Sequence, residues 1–165
     1  MSVEEIVRYG DKVLSERTRE VPEVNEEIRE LIAHMYEVLK EAQGLGLAAN
    51  QIGKPLRLFV YDVGEGPHAL INPKIVRRSG SHMEIEGCLS IPGLQGEVER
   101  ADVVVVDGLD EEGSKVRIRA EGLLARVFQH EIDHLDGTLF IDRADEDTLH
   151  WVIGIGAQEE EQKEE

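Results

Sequence analysis

The chain has 165 residues, enough for one domain with a real core and too few for two generous ones. Its 35 acidic and 18 basic residues leave a formal net charge of −17 at pH 7, which argues against direct binding of nucleic acid or of an anionic membrane surface. A hydrophobic share of 41 % in periodic segments excludes a disordered acidic chain, and no apolar run reaches bilayer length. Met1 to Glu5 carry no signal-peptide pattern, and the single cysteine, Cys88, rules out a disulfide within the chain. A soluble cytoplasmic protein is expected.

Residues 1–24 read as a loosely structured arm with a short turn around Asp11 to Leu14. Asn25 has the chemistry of an N-cap for a first long helix, with Glu26 and Glu27 suited to its positive end. Ile28, Leu31, Ile32, Met35, Leu39 and Ala42 recur at helical spacing, and Gly44 is the expected stop.

The segment Gly44-Leu45-Gly46-Leu47-Ala48-Ala49-Asn50-Gln51 is small and apolar until it ends in amides. It lacks the Gly-Lys-Ser/Thr of a phosphate loop, so a tightly packed loop lining a cleft is expected. Residues 57–61 and 69–72 read as short strands around a Gly/Pro turn, with 75–78 continuing the pairing. His68 and His82 are expected in solvated loops. Val98 to Val106 reads as one long β-branched strand, with Lys115 to Arg119 pairing back antiparallel.

Between these strands lies Glu86-Gly87-Cys88-Leu89-Ser90. A lone cysteine is usually a small buried hydrophobe. Here it is also the only thiol in a chain that needs a third ligand for a histidine pair further on.

That pair lies in Gln129-His130-Glu131-Ile132-Asp133-His134-Leu135, which contains H-E-x-x-H. On a helix the two histidines share a face and can hold one divalent metal, with the glutamate reaching a water on it as general base. Leu123, Leu124, Val127, Phe128, Glu131 and Leu135 form the core stripe of that helix, and Gly137 is placed to end it in a left-handed cap. Leu123 and Val127 lie one or two turns before His130 on nearly the same face and would wall a pocket beside a metal. Arg126 borders the stripe, so its stem could line the rim while its head stays in water. The residues alone leave three rivals: metal-assisted hydrolysis as in a zincin-type protease, an iron oxygenase, and a metal-binding scaffold without catalysis.

Taken together, GLGLAANQ, EGCLS and QHEIDHL resemble, in order and spacing, the three signature motifs of the peptide deformylases. The likeness runs from about residue 5 to about residue 143. It implies an α+β fold, antiparallel or mixed strands packed around a central metal-binding helix, with one N-terminal helix and a C-terminal helix. It implies that Cys88, His130 and His134 hold one divalent metal, Fe²⁺ in the cell, with Zn²⁺, Ni²⁺ or Co²⁺ able to replace it in purified protein. It implies that Glu131 is general base and acid, and that the Gln51 side-chain amide and the Leu89 backbone N–H steady the developing negative oxygen. The implied substrate is the N-formyl group of nascent polypeptides that begin with formyl-methionine, met near the ribosome. Leu45, Gly46 and Ile85 would join Leu123, Arg126 and Val127 around it.

Residues 1–150 are expected to form the catalytic domain. Residues 151–165 are expected to be a variable C-terminal segment, with His150 and Trp151 in a separate helix and an acidic tail, Gln158 to Glu165. Such a tail is either solvated or a contact arm for a basic partner, and its charge argues against docking on RNA.

Overall fold

The computed structural model describes residues 5–152. Two helices and two antiparallel sheets make up an α+β fold. The larger sheet has the order β1 (Gly46–Ala48), β2 (Leu58–Tyr61), β3 (His68–Ser79), β6 (Val103–Leu109), β7 (Lys115–Glu121). The smaller has the order β4 (His82–Cys88), β5 (Ile91–Arg100), β8 (His150–Trp151).

Helices α1 (Glu26–Ala42) and α2 (Gly122–Leu135) cover opposite faces of the larger sheet. The alternation of strand side chains explains how. Leu47, Leu58, Val60 and Ile71 pack with Ile32, Met35 and Leu39 of α1, while Ala48, Phe59, Tyr61 and Leu70 pack with Phe128, Ile132 and Leu135 of α2. Strand β2 is therefore buried at all four positions. A third, smaller cluster of Ile91, Val98, Leu139 and Phe140 fastens the small sheet to the chain that follows α2. No helix among the described residues is long and apolar enough to cross a membrane.

The Asn25 side chain accepts from Ile28 N–H at 3.0 Å, as an N-cap does. The α1 stop comes one residue before the expected Gly44: Gln43 takes the left-handed conformation, φ 56°, and its N–H closes on Leu39 and Lys40. The predicted Gly137 cap is present, with φ 80° just beyond α2.

Four expectations are corrected. The arm before α1 is pinned where it is described: Ile6, Leu14 and Val21 are buried, and the Val7 and Tyr9 N–H groups donate to Gln51 O and Ser90 O. The segment 98–106 is two strands in two sheets, because the chain turns at Ala101 and Asp102. There the Gln129 amide takes the Ala101 N–H at 2.9 Å and donates to its carbonyl at 3.0 Å. His82 opens β4 half-buried and is bonded to Asp102; His68 is exposed as expected but opens β3, against Tyr61, and is not in a loop. His150 and Trp151 are not helical: they pair with Gln95 and Leu94 as the edge of the small sheet, which leaves no room for helical hydrogen bonding at those two residues. The acidic tail lies outside the described residues.

Candidate metal centre

Helix α2 delivers its histidines from a buried position, and its last turn is tied down by groups from elsewhere. Helical C-terminal carbonyls lack partners within the helix. Here the Asn50 Nδ2 donates to His134 O at 2.6 Å, Thr18 N–H and Oγ1 each donate to Leu135 O at 2.8 Å, and Arg57 Nη1 donates to Leu135 O at 3.2 Å and to Asp136 at 2.8 Å. The segment read as a loop is strand β1 followed by a 3-10 turn, Ala49–Ile52. That turn supplies Asn50 to α2 and buries Gln51 beside the small sheet.

Cys88 ends β4, where the register shifts at the turn into β5, and its Sγ accepts the Ser90 N–H at 3.4 Å. Sγ lies 3.2 Å from His134 Nε2. One donor atom from each of Cys88, His130 and His134 lies within 4.8 Å of the others. A soft thiolate and two imidazoles suit a late first-row divalent ion. The ring orientations fit as well. His130 Nδ1 faces Glu86 Oε1 at 3.0 Å and must donate to it, which leaves the Nε2 lone pair free to bind a metal.

Glu131 sits beside this cluster, 3 % exposed, with Oε1 lacking any hydrogen-bond partner. Burial pushes its carboxyl up to about 7, against the opposing pull of His130. His134 is driven well below its ordinary value by burial and by the charge of His130. Without a metal, burial also disfavours charge on His130, but Glu131, Cys88 and Glu86 outweigh it and hold the ring well above its ordinary value; a bound metal would take the place of the Nε2 proton. Gln51 is 1 % exposed. Its Oε1 accepts Ala48 N–H at 2.9 Å, which fixes the amide so that Nε2 points at Ser90 Oγ, 3.2 Å, and Cys88 Sγ, 3.7 Å.

A cleft of about 650 Å³ opens over the cluster, a size suited to a small-molecule or peptide ligand. Leu45, Gly46, Gln51, Ile85, Cys88 and Leu89 line it from the strand side, and Leu123, Arg126, Val127, His130 and Glu131 from the helix side. His134 lies beneath, fully buried. Leu45, Ile85 and Leu123 are 45 %, 56 % and 51 % exposed, an apolar rim left uncovered by the described residues.

Arg126 departs from its expected place. Its stem is in the cleft wall, but the guanidinium is buried, donating to Glu86 Oε2 at 2.7 Å, Val98 O at 3.1 Å and Glu84 O at 3.2 Å. The reason is electrostatic: Glu86 is a buried carboxylate, and its second oxygen needs donors as much as the first. Arg100 supplies the others, bonding both Glu86 oxygens at 2.8 Å and Asp133 at 2.6 Å, with Arg143 closing on Asp133 from outside. Burial alone would raise the Glu86 pKa; Arg100 and His130 overcome it and hold it at about 2. Sequence reasoning missed Arg100 and Asp133. Arg100 sat inside an apparent strand and Asp133 inside the H-E-x-x-H helix, and nothing in periodicity distinguishes a charge that turns inward.

The family model for polypeptide deformylase matches residues 3–149. The chain belongs to the peptide deformylase family. A peptide deformylase of Pelotomaculum thermopropionicum is 51 % identical over 144 residues, covering 87 % of this chain and 93 % of that one. One of Carboxydothermus hydrogenoformans is 50 % identical over 145 residues, covering 88 % and 95 %. Among solved structures, the Synechococcus elongatus deformylase in complex with actinonin superposes with a TM-score of 0.83 at 45 % identity, covering 85 % of this chain and 78 % of that chain. The Thermotoga maritima deformylase gives 0.83 at 42 %, covering 85 % and 96 %. The chain is thus an enzyme, a hydrolase of this family, with a Cys-His-His cluster suited to the metal on which the family depends.

Proposed function

We propose that the enzyme removes the N-formyl group from the initiator methionine of newly made polypeptides, releasing formate and a free amino terminus. The observation that carries this reading is the juxtaposition of the Cys88, His130 and His134 donor atoms with the Glu131 carboxylate, whose Oε1 has no hydrogen-bond partner among the described residues, at the floor of an apolar-rimmed cleft. Cys88 Sγ, His130 Nε2 and His134 Nε2 would hold one divalent ion, and Fe²⁺ is the ion that family membership favours. Bound there, it supplies an acidified water and an electrophile for the carbonyl oxygen.

The chain's own groups account for the rest. Glu131 takes the proton of the attacking water as its oxygen adds to the formyl carbon, then passes it to the amide nitrogen as the C–N bond breaks. Burial raises that carboxyl above the ordinary range, which favours the return of the proton after its uptake. The Gln51 Nε2–H and the Leu89 backbone N–H donate to the developing oxyanion. Leu123, Val127 and the Arg126 stem wall a pocket for an unbranched methionine side chain, Leu45 and Ile85 cover its mouth, and the backbone at Gly46 pairs with the extended peptide. We place the enzyme in the cytoplasm, meeting its substrate near the ribosome without binding RNA through its acidic surface.

Formate release from formyl-Met-Ala, compared with hydrolysis of the unformylated dipeptide, separates this reading from a zincin-type protease. Glu131→Gln should keep its metal while turnover falls about 10²- to 10⁴-fold. Near-normal turnover in that variant would refute the role, and a catalytically silent wild type with bound metal would leave only a metal scaffold.

A further inference from the structure

We propose that His82 and Asp102 are positioning residues for the metal centre: together they hold the Arg126 guanidinium against Glu86, and through it the ring of His130. The inference rests on His130 being a metal ligand, and it reaches two residues that no motif includes.

The hydrogen bonds assign themselves from donor chemistry. Asp102 Oδ1 can only accept, so His82 Nδ1, 2.5 Å away, donates to it. An arginine can only donate, so His82 Nε2 accepts from Arg126 Nη1 at 3.2 Å. Arg126 Nη2 passes to Glu86 Oε2 at 2.7 Å, and Glu86 Oε1 receives His130 Nδ1–H at 3.0 Å. The path Asp102–His82–Arg126–Glu86–His130 is unbroken.

Two features argue that the outer links serve the site rather than the fold. The side chains of His82 and Asp102 are 29 % and 48 % exposed, and a pair that open to water contributes little to stability. Space is nevertheless kept for it: a Cβ at Gly80 would collide with the Asp102 carboxylate. His82 is also the partner of the Arg126 Nη1 atom: without it the guanidinium is held only through Nη2, by Glu86, Val98 O and Glu84 O, beside the cleft that its stem lines. A looser guanidinium would hold Glu86 Oε2 less firmly, and with it the Oε1 that receives His130 Nδ1–H.

The full-length chain loaded with Ni²⁺ tests this through metal loss to an excess of chelator, with kcat and KM for formyl-Met-Ala and thermal melting alongside. Partners outside the ligand shell typically change metal affinity about 10- to 100-fold, and His82→Ala should speed metal release by about tenfold, the low end of that range. KM should rise more than kcat falls, with the melting temperature nearly unchanged. His82→Gln offers an acceptor to Arg126 and a donor to Asp102 and should restore slow release. In an Arg126→Met background, His82→Ala should add nothing, because the route to Glu86 is already cut. Unaltered release in His82→Ala overturns the proposal, as does an equal acceleration in both backgrounds. A wild type that binds Ni²⁺ but releases no formate sinks only the deformylase reading, and the chelator comparison still decides this one. A wild type that holds no metal overturns both.

Discussion

The Glu131 carboxylate rests on the backbone of Gly46: a Cβ there would lie 2.6 Å from Oε2 and 2.9 Å from Cγ. Strand β1 thus sets the height of the Glu131 carboxylate above the cleft floor, and only a residue without a side chain permits it. Gly46→Ala should displace the carboxylate by a substantial fraction of an ångström. Misplacement on that scale costs on the order of 10²-fold, and the loss should appear in kcat while metal content stays near normal. Full turnover with one equivalent of metal in the alanine variant would mean that the base tolerates the shift.

Gln51 has two jobs that can be separated. Its oxygen satisfies the Ala48 N–H, and its nitrogen faces Ser90 Oγ and Cys88 Sγ. Gln51→Leu loses both: kcat should fall roughly 10²- to 10³-fold, and the unpaired buried N–H should lower stability by about 1–3 kcal/mol. Gln51→Glu keeps an acceptor for Ala48 but loses the donor, so kcat should stay low, and its buried carboxylate without donors should hold stability below wild type. If the loss sits wholly in KM for both variants, Gln51 orients substrate and does not steady the oxyanion.

The two histidines and Glu131 were legible as one helical grouping because their spacing is a local pattern. H-E-x-x-H needs only helical geometry, and the stripe from Leu124 to Leu135 predicts that helix. Asn25 and Gly137 mark helix ends by residue type alone. What stayed hidden is tertiary. Val98, Arg100, Val104 and Val106 are all buried, so the alternation runs through the point where the chain leaves one sheet for the other. The break is held by Gln129 from α2, which no local signal anticipates. Arg126 was read as snorkelling because its acceptors, Glu86 and the carbonyls of Glu84 and Val98, come from strands far away in sequence. His150 and Trp151 gave no periodic signal over so short a stretch, and their strand exists only because β5 offers an edge.

The buried network should show its strength when one side is removed. Arg100→Met leaves Glu86 and Asp133 short of their shared cation, and breaking a buried pair in this way costs about 3–5 kcal/mol. Urea melts of the metal-free protein would measure it. A variant as stable as wild type would show that Arg126 and Arg143 suffice.

Glu86 also predicts an acid limb. Its folded pKa of about 2 lies below the ordinary carboxyl value. The stability it contributes is therefore complete above the ordinary carboxyl range and is lost as pH falls through about 2. In metal-free protein, the stability gap between wild type and Glu86→Gln should be widest near neutral pH and close steadily below pH ~4. A gap that does not change with pH would mean that Glu86 acts through shape alone.

Cys88 carries the last prediction. Its sulfur is half-exposed in the cleft wall, receives the Ser90 N–H and stands 3.2 Å from His134 Nε2. As a ligand it is a thiolate, and oxygen can reach it. Across sites of this kind affinity rises from Fe²⁺ toward Ni²⁺ and Cu²⁺, with Zn²⁺ also above Fe²⁺, so protein purified in air should carry a replacement ion. With Fe²⁺ bound, oxygen chemistry takes place beside the sulfur, and the thiolate can climb to sulfenic and then to irreversible sulfinic or sulfonic acid. The Ni²⁺ form lacks most of that chemistry and should hold its activity far longer. Activity in air should be followed for both forms, with the mass of the Cys88 peptide taken at each time. Loss of iron-form activity in step with oxygen added to that peptide is the expected result. A Cys88 that stays reduced throughout, together with a Cys88→Ala variant that binds metal and turns over normally, would overturn the assignment of Cys88 as a ligand.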